Sequence, residues 1–230
     1  MKLLDRKTST QGGFTLIEVL VVIGILAILL AITLVAINPN KHFQDARNSQ
    51  RSSNVSAVLD AIYAYEASNS GSQPPSVSKV SLTMPLGEAP THAASAVAFA
   101  TSTVTFTVPS GNTITSGNAL VTGCSVAADN GTFVVSSGDD TTIAVTNASG
   151  VASATGCVIS SKVNLCTDLT PTYIADLPMD PSASAPTGGT TPCAAGVTAY
   201  DTDYTITQAN GRFTIAAPKA EGGATISVTR

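Results

Sequence analysis

The sequence predicts an α+β protein in which a long N-terminal helix, membrane-spanning and then amphipathic, packs on an antiparallel β-sheet head. Three observations predict this architecture. A nearly uncharged apolar run is followed by apolar residues at helical spacing as far as residue 67. Beyond Gly71 the apolar spacing changes to the alternation of strands. All four cysteines lie in the second half of the chain, within this β-rich region.

The first element is a polar, basic leader, residues 1–13, which precedes an apolar helix over residues 14–37. Glu18 is the only ionisable side chain in that helix. Its length as a helix is about 36 Å, enough to cross a hydrocarbon layer of about 30 Å. A secretory signal has a shorter apolar region and a small-x-small cleavage site, whereas a plain membrane anchor leaves Glu18 unexplained.

Residues 38–71 are predicted to be the amphipathic half of one long helix covering residues 14–67. Asn38-Pro39 interrupts the helical pattern, because Pro39 lacks the N–H that would bond the carbonyl of Val35, so a kink or local melt is expected there. Apolar residues then recur on one face, and charged residues are expected mostly on the other faces. The apolar stripe consists of Val55, Val58, Leu59, Ile62 and Tyr65. The expected polar set consists of Asp45, Arg47, Arg51, Asp60 and Glu66.

Residues 72–230 are predicted to form the β-rich head, with a disulfide-stapled region towards the C-terminus. Asn210-Gly211, between two β-prone segments, predicts a hairpin. Ile226 and Val228 predict a last strand, and the Pro- and Gly-rich Pro178–Gly196 segment predicts a loop. The remaining strand candidates are Ala98–Val108, Thr132–Val135, Thr142–Val145 and Cys157–Val163.

The cysteines predict two disulfides. Their number is even, and no C-x-x-C pair with zinc-ligand spacing is present. Three pairings are open, and four buried free thiols are the alternative to all of them. We prefer the pairing of sequence neighbours, Cys124 with Cys157 and Cys166 with Cys193.

Composition argues against nucleic-acid binding and catalysis. The net charge is -4, and the head contains no basic stripe of the kind that neutralises phosphates. No G-x-S-x-G nucleophile motif is present, and His42 lies next to the apolar helix rather than in a predicted cleft. The protein is therefore not expected to be an enzyme.

The segment Gly12–Glu18, between the basic leader and the apolar helix, resembles the class III signal of the type IV pilin and type II secretion pseudopilin family. Ala46–Arg51 and Leu177–Pro181 add to the resemblance. It implies a pilin fold and cleavage by prepilin peptidase between Gly13 and Phe14, with N-methylation of Phe14. It also implies that the Phe14 amine of one subunit pairs with Glu18 of a neighbour.

The resemblance implies a structural pilin that forms a homo-oligomeric filament. Its implied partners are prepilin peptidase, an inner-membrane assembly platform and membrane lipid. The protein would cross the inner membrane once before assembly and lie in a pilus, at the cell surface or in the periplasm, afterwards. A pseudopilin of a type II secretion or competence system is the alternative, followed by a membrane-anchored adhesin that does not polymerise.

The resemblance also implies roles for Pro39 and for three C-terminal aspartates. In the family, helix-breaking residues such as Pro39 let the first helix melt locally and pack in the filament; a simple kink is the alternative. Type II major pseudopilins bind calcium in a C-terminal loop, which makes Asp180, Asp201 and Asp203 calcium candidates. The longer Ser182–Gly196 stretch departs from that loop, so no cofactor is the primary expectation.

Overall fold

A computed structural model describes residues 13–152 and 154–230. The chain divides into two compact units, with the boundary after Gln44. The predicted leader lies outside the described residues, except for Gly13.

The N-terminal helical region consists of two helices rather than the one predicted. Helix α1 is Leu16–Ile37 and helix α2 is Pro39–Ser68. Asn38 separates them in the left-handed conformation, with φ 42°. The helix is thus interrupted at the expected Asn38-Pro39 position, and Pro39 is the first residue of α2, where its missing N–H would have no helical partner in any case.

The second unit contains the rest of α2, a short helix α3 and eleven strands in two antiparallel sheets. Sheet one has the order β1-β9-β10-β11, and sheet two has the order β2-β8-β5-β6-β7-β4-β3. Helix α3 is Cys166–Leu169. The strands are β1 Met84–Glu88, β2 His92–Ala93, β3 Ala96–Ala100, β4 Thr103–Thr107, β5 Asn118–Thr122, β6 Gly131–Gly138, β7 Thr142–Thr146, β8 Val158–Ser160, β9 Tyr200–Ala209, β10 Arg212–Ala216 and β11 Ser227–Thr229. The α+β fold with a sheet head is confirmed.

Helix α2 packs on sheet one through the predicted apolar stripe. Val55, Val58, Leu59 and Ile62 are fully buried in one core with β1, β9 and β10, and Tyr65 packs at its border. One residue of the expected polar set is an exception. Arg51 is fully buried in the structure, because acceptors from two loops surround its guanidinium, as described below.

Sheet two has a separate hydrophobic core that the sequence did not predict. Among the residues described, all buried residues of this core lie between Val104 and Ile159. Of residues 89–152 and 154–162, only Leu120 lies in the core beneath α2. The segment leaves and rejoins sheet one at adjacent points: Gly87 N donates to Val163 O, and Val163 N donates to Pro85 O, both at 2.9 Å. Residues 89–162 therefore form an inserted module.

Individual strands were predicted unevenly. The β9–β10 hairpin around Asn210-Gly211 is confirmed, with Arg212 opposite Ala209, and so is the last strand, β11. Ala98–Val108 is not one strand, because β3 and β4 meet in a hairpin at a tight turn in which Thr101 has φ 58°. A threonine in the left-handed conformation is uncommon. Residues 100–103 contain no Gly or Pro, so the sequence gives no signal that predicts this turn.

The structure contains two disulfides, and they join sequence neighbours. Cys124–Cys157 lies within the inserted module, and Cys166–Cys193 ties the long C-terminal loop to α3. Among the residues described, no cysteine is free.

Removing either disulfide is expected to lower the free energy of unfolding of a 42–230 fragment by about 2–4 kcal/mol, because each bridge restricts the unfolded chain. Urea unfolding of the Cys166→Ala/Cys193→Ala and Cys124→Ala/Cys157→Ala proteins measures this effect. The matched control is the unaltered fragment with and without reductant. Equal unfolding midpoints in all cases would contradict the expectation.

Candidate functional site

The junction between Gly13 and Phe14 lies directly before helix α1. Gly13 is exposed, and a Cβ atom built on it would meet no atom within 4 Å. The Phe14 side chain is 86% exposed. Gly12 lies outside the residues described. Among the residues described, Gly13 and Phe14 are thus both exposed at the predicted cleavage position.

Glu18 forms a capping box with Thr15 at the start of α1. Thr15 N and Thr15 Oγ1 each donate to Glu18 Oε2 at 2.9 Å, and Glu18 N donates to Thr15 Oγ1 at 3.3 Å. The box satisfies two N–H groups at the helix N-terminus and turns the carboxylate back towards residue 14. Sequence reasoning missed Thr15, although the T-x-x-E spacing was available as a signal.

From Leu16 to Leu34, α1 is an exposed apolar surface. Leu16–Leu34 has a mean hydropathy of 3.0, and none of it is buried within the chain. Large side chains such as Ile17, Leu20 and Ile28 are more than half exposed. By length and composition this helix is able to cross a membrane. A soluble environment would leave its apolar side chains in water on every face.

Residues 8–34 match the sequence model of a family described as the prokaryotic N-terminal methylation motif. This segment is the class III signal peptide of type IV pilins and pseudopilins. The comparisons with curated proteins and with solved structures found no match to the chain. The class III signal implies processing by prepilin peptidase and fits a membrane-anchored precursor.

Ala46–Arg51 and Leu177–Pro181, the two segments that add to the resemblance, are in contact in the head. Arg51, at the end of Ala46–Arg51, donates from Nε to Asp180 Oδ2 at 2.6 Å and from Nη2 to Asp180 Oδ1 at 3.0 Å. Both side chains are fully buried. Burial alone would raise the pKa of Asp180, but the hydrogen bonds from Arg51 and Ser182 lower it below its ordinary value. The pair is therefore charged.

A second carboxylate, Glu221, completes this cluster from the loop before β11. Arg47 donates to Glu221 at 2.7 Å and 2.5 Å, and Arg51 Nη1 donates to it at 3.1 Å. Asn48 and Glu221 also exchange side chain–backbone hydrogen bonds at 2.9 Å and 3.0 Å. The hydrogen bonds from Arg47 are the main cause that lowers the pKa of Glu221 to about 2. The cluster thus fixes two loops to α2.

The calcium candidates are each paired with a cationic side chain. Asp180 pairs with Arg51, Asp201 with Lys162 at 2.9 Å, and Asp203 with Lys219 at 2.7 Å. Within residues 13–152 and 154–230, no three His, Cys, Asp or Glu side chains are grouped to hold a metal ion. This arrangement does not fit a calcium site, and the expectation of no cofactor stays a prediction.

Proposed function

We propose that the chain is a structural subunit of a type IV pilus-like filament. Prepilin peptidase cuts the precursor between Gly13 and Phe14 and methylates the new amino terminus of Phe14. The mature subunit leaves the inner membrane through an assembly platform and polymerises through α1 into a filament at the cell surface or in the periplasm.

The observation that carries the proposal is the class III signal at residues 8–34, together with a helix in which the apolar residues of Leu16–Leu34 are exposed on every face. Such a helix needs lipid or other apolar helices around it. Glu18 supports assembly over simple anchoring, since a carboxylate in an apolar helix is costly in lipid and needs a partner. A neighbouring Phe14 amine would supply that partner.

The mature protein is expected to begin at N-methylated Phe14, because the open Gly13–Phe14 junction is the peptidase substrate. Intact-mass and N-terminal peptide mass spectrometry of protein from the cell envelope checks this. The matched control is a strain without the peptidase, in which the chain should keep residues 1–13. A mature N-terminus at Met1 or beyond Ile37 would contradict the proposal.

Filament formation is tested separately by electron microscopy of cells with and without the gene. Loss of surface filaments in the deletion strain supports a pilin. Lost secretion or DNA uptake with unchanged surface filaments would instead indicate a pseudopilin. A correctly processed protein that never leaves the membrane fraction would indicate an anchored adhesin.

A further inference from the structure

The chain contains two Asn-Gly pairs, Asn130-Gly131 at the start of β6 and Asn210-Gly211 at the tip of the β9–β10 hairpin. In such a pair the side-chain amide lies directly before a main-chain nitrogen, so that nitrogen can attack it within the same molecule. Glycine has no Cβ atom to hinder the approach. Because the two pairs share this chemistry, the structure around each one decides whether it reacts.

The amide of Asn130 is held in place by the main chain around Cys124. Cys124 N donates to Asn130 Oδ1, and Asn130 Nδ2 donates to Cys124 O and to Val126 O, each at 2.9 Å. A Cβ atom built on Gly131 would lie 3.4 Å from the Phe133 ring. Asn130 must therefore break three hydrogen bonds before its amide carbon can turn towards Gly131 N, and this requirement slows the reaction.

The amide of Asn210 has no such restraint. Asn210 is exposed, and among the residues that the structure describes its side chain forms no hydrogen bond. A Cβ atom built on Gly211 would meet no atom within 4 Å. Ala209 and Arg212, the paired residues that flank the turn, are also exposed. The turn can therefore open locally with the loss of few contacts, which brings Gly211 N within reach of the Asn210 amide.

From this contrast we propose that Asn210 is a self-modification site, at which the side chain loses ammonia and the residue becomes aspartate or isoaspartate. Gly211 N attacks Asn210 Cγ. The new N–Cγ bond closes a succinimide ring as the Cγ–Nδ2 bond breaks, and Nδ2 leaves as ammonia with the proton from Gly211 N. A water molecule then opens the ring at one of its two carbonyl groups. The reaction needs no oxidant or reductant.

The modification changes the hairpin in two ways. It replaces a neutral amide with a carboxylate that is ionised at neutral pH, so each modified copy carries one more negative charge. Where the ring opens to isoaspartate, the main chain of the turn also gains a methylene group, which disturbs the pairing of Ala209 with Arg212. Because β10 contributes Phe213 and Ile215 to the core beneath α2, the modified hairpin is expected to be less stable.

The first test follows both Asn-Gly pairs in the full-length processed protein, kept in detergent at mildly alkaline pH over several days. Peptide mass spectrometry after digestion measures the loss of amide at each pair. The Asn210 peptide should convert at least about tenfold faster than the Asn130 peptide in the folded protein, and at a similar rate in reduced, urea-unfolded protein. Equal rates in the folded protein would overturn the proposal, as would a difference that persists after unfolding.

The second test uses Asn210→Gly, because Gly-Gly also fits a two-residue hairpin turn and lacks the side-chain amide. On native isoelectric focusing, the aged unaltered protein should gain a more acidic species, and aged Asn210→Gly should not. The matched control is Asn40→Ser, which removes another exposed amide and should acidify like the unaltered protein. Equal acidification of Asn210→Gly and the unaltered protein would overturn the proposal.

Discussion

Replacing Arg51 with alanine is expected to lower the free energy of unfolding of the 42–230 fragment by about 3–5 kcal/mol, because it leaves the Asp180 carboxylate buried without its partner. Arg51 and Asp180 have no exposed side-chain surface and share two hydrogen bonds. Urea unfolding followed by circular dichroism measures the loss. We expect Asp180→Ala to have an effect of similar size.

The matched control is Arg47→Ala, four residues earlier on the same helix. Arg47 pairs with Glu221, but its side chain is 39% exposed, and exposed ion pairs contribute only about 0–1 kcal/mol. The double variant Arg51→Met/Asp180→Leu should recover most of the stability, since buried pairs are often replaceable by apolar residues. If Arg51→Ala costs no more than Arg47→Ala, the buried pair is not what fixes the loop to α2.

Replacing Glu18 with leucine is expected to abolish ordered filaments while leaving the processed subunit in the membrane. A charged side chain at the bilayer centre costs about 3 kcal/mol on insertion scales, so its removal favours membrane residence. In the filament proposed above, assembly would lose the charge expected to pair with the Phe14 amine of a neighbouring subunit. Electron microscopy of surface filaments, together with membrane fractionation, gives both readouts.

Two further variants separate pairing from capping, since Glu18 also forms the box with Thr15. Glu18→Gln keeps a capping residue but loses the charge, and it should fail to assemble like Glu18→Leu. Thr15→Val keeps the charge and loses the cap, a local cost of about 1 kcal/mol, so filaments should persist. Normal filaments from Glu18→Gln would argue against charge pairing.

The N-terminal region could be predicted from sequence because its physics is local. A membrane helix satisfies its own backbone and needs only a long apolar run, and Gly12–Glu18 supplies the resemblance directly. The break at Asn38 lies within the Asn38-Pro39 pair expected to interrupt the helix, and Pro39 is favourable as the first residue of the next helix. The apolar stripe on α2 was equally readable, since one face of a helix repeats regularly.

The inserted module and the Arg51 cluster could not be predicted, because both depend on contacts distant in sequence. Short strands such as β5 have no pattern that assigns them to a second sheet rather than the first. Arg51 has the charge of a surface residue, and only its partner Asp180, which lies 129 positions away, makes its burial favourable. Periodicity of apolar residues therefore does not predict the burial of a polar residue whose partner is distant in sequence.

The hydrogen-bonded crossing of Pro85–Gly87 with Val163 has a consequence for loop-closure entropy. Hydrogen bonds between Pro85–Gly87 and Val163 hold the two ends of the inserted module together. For the folding of the four-stranded sheet, the whole module is therefore equivalent to one closed loop. The entropy of closing a loop depends only logarithmically on its length, about 0.6 kcal/mol for each doubling. By this entropic term alone, a change in the length of the segment between Glu88 and Val163 costs the sheet on which α2 packs little free energy.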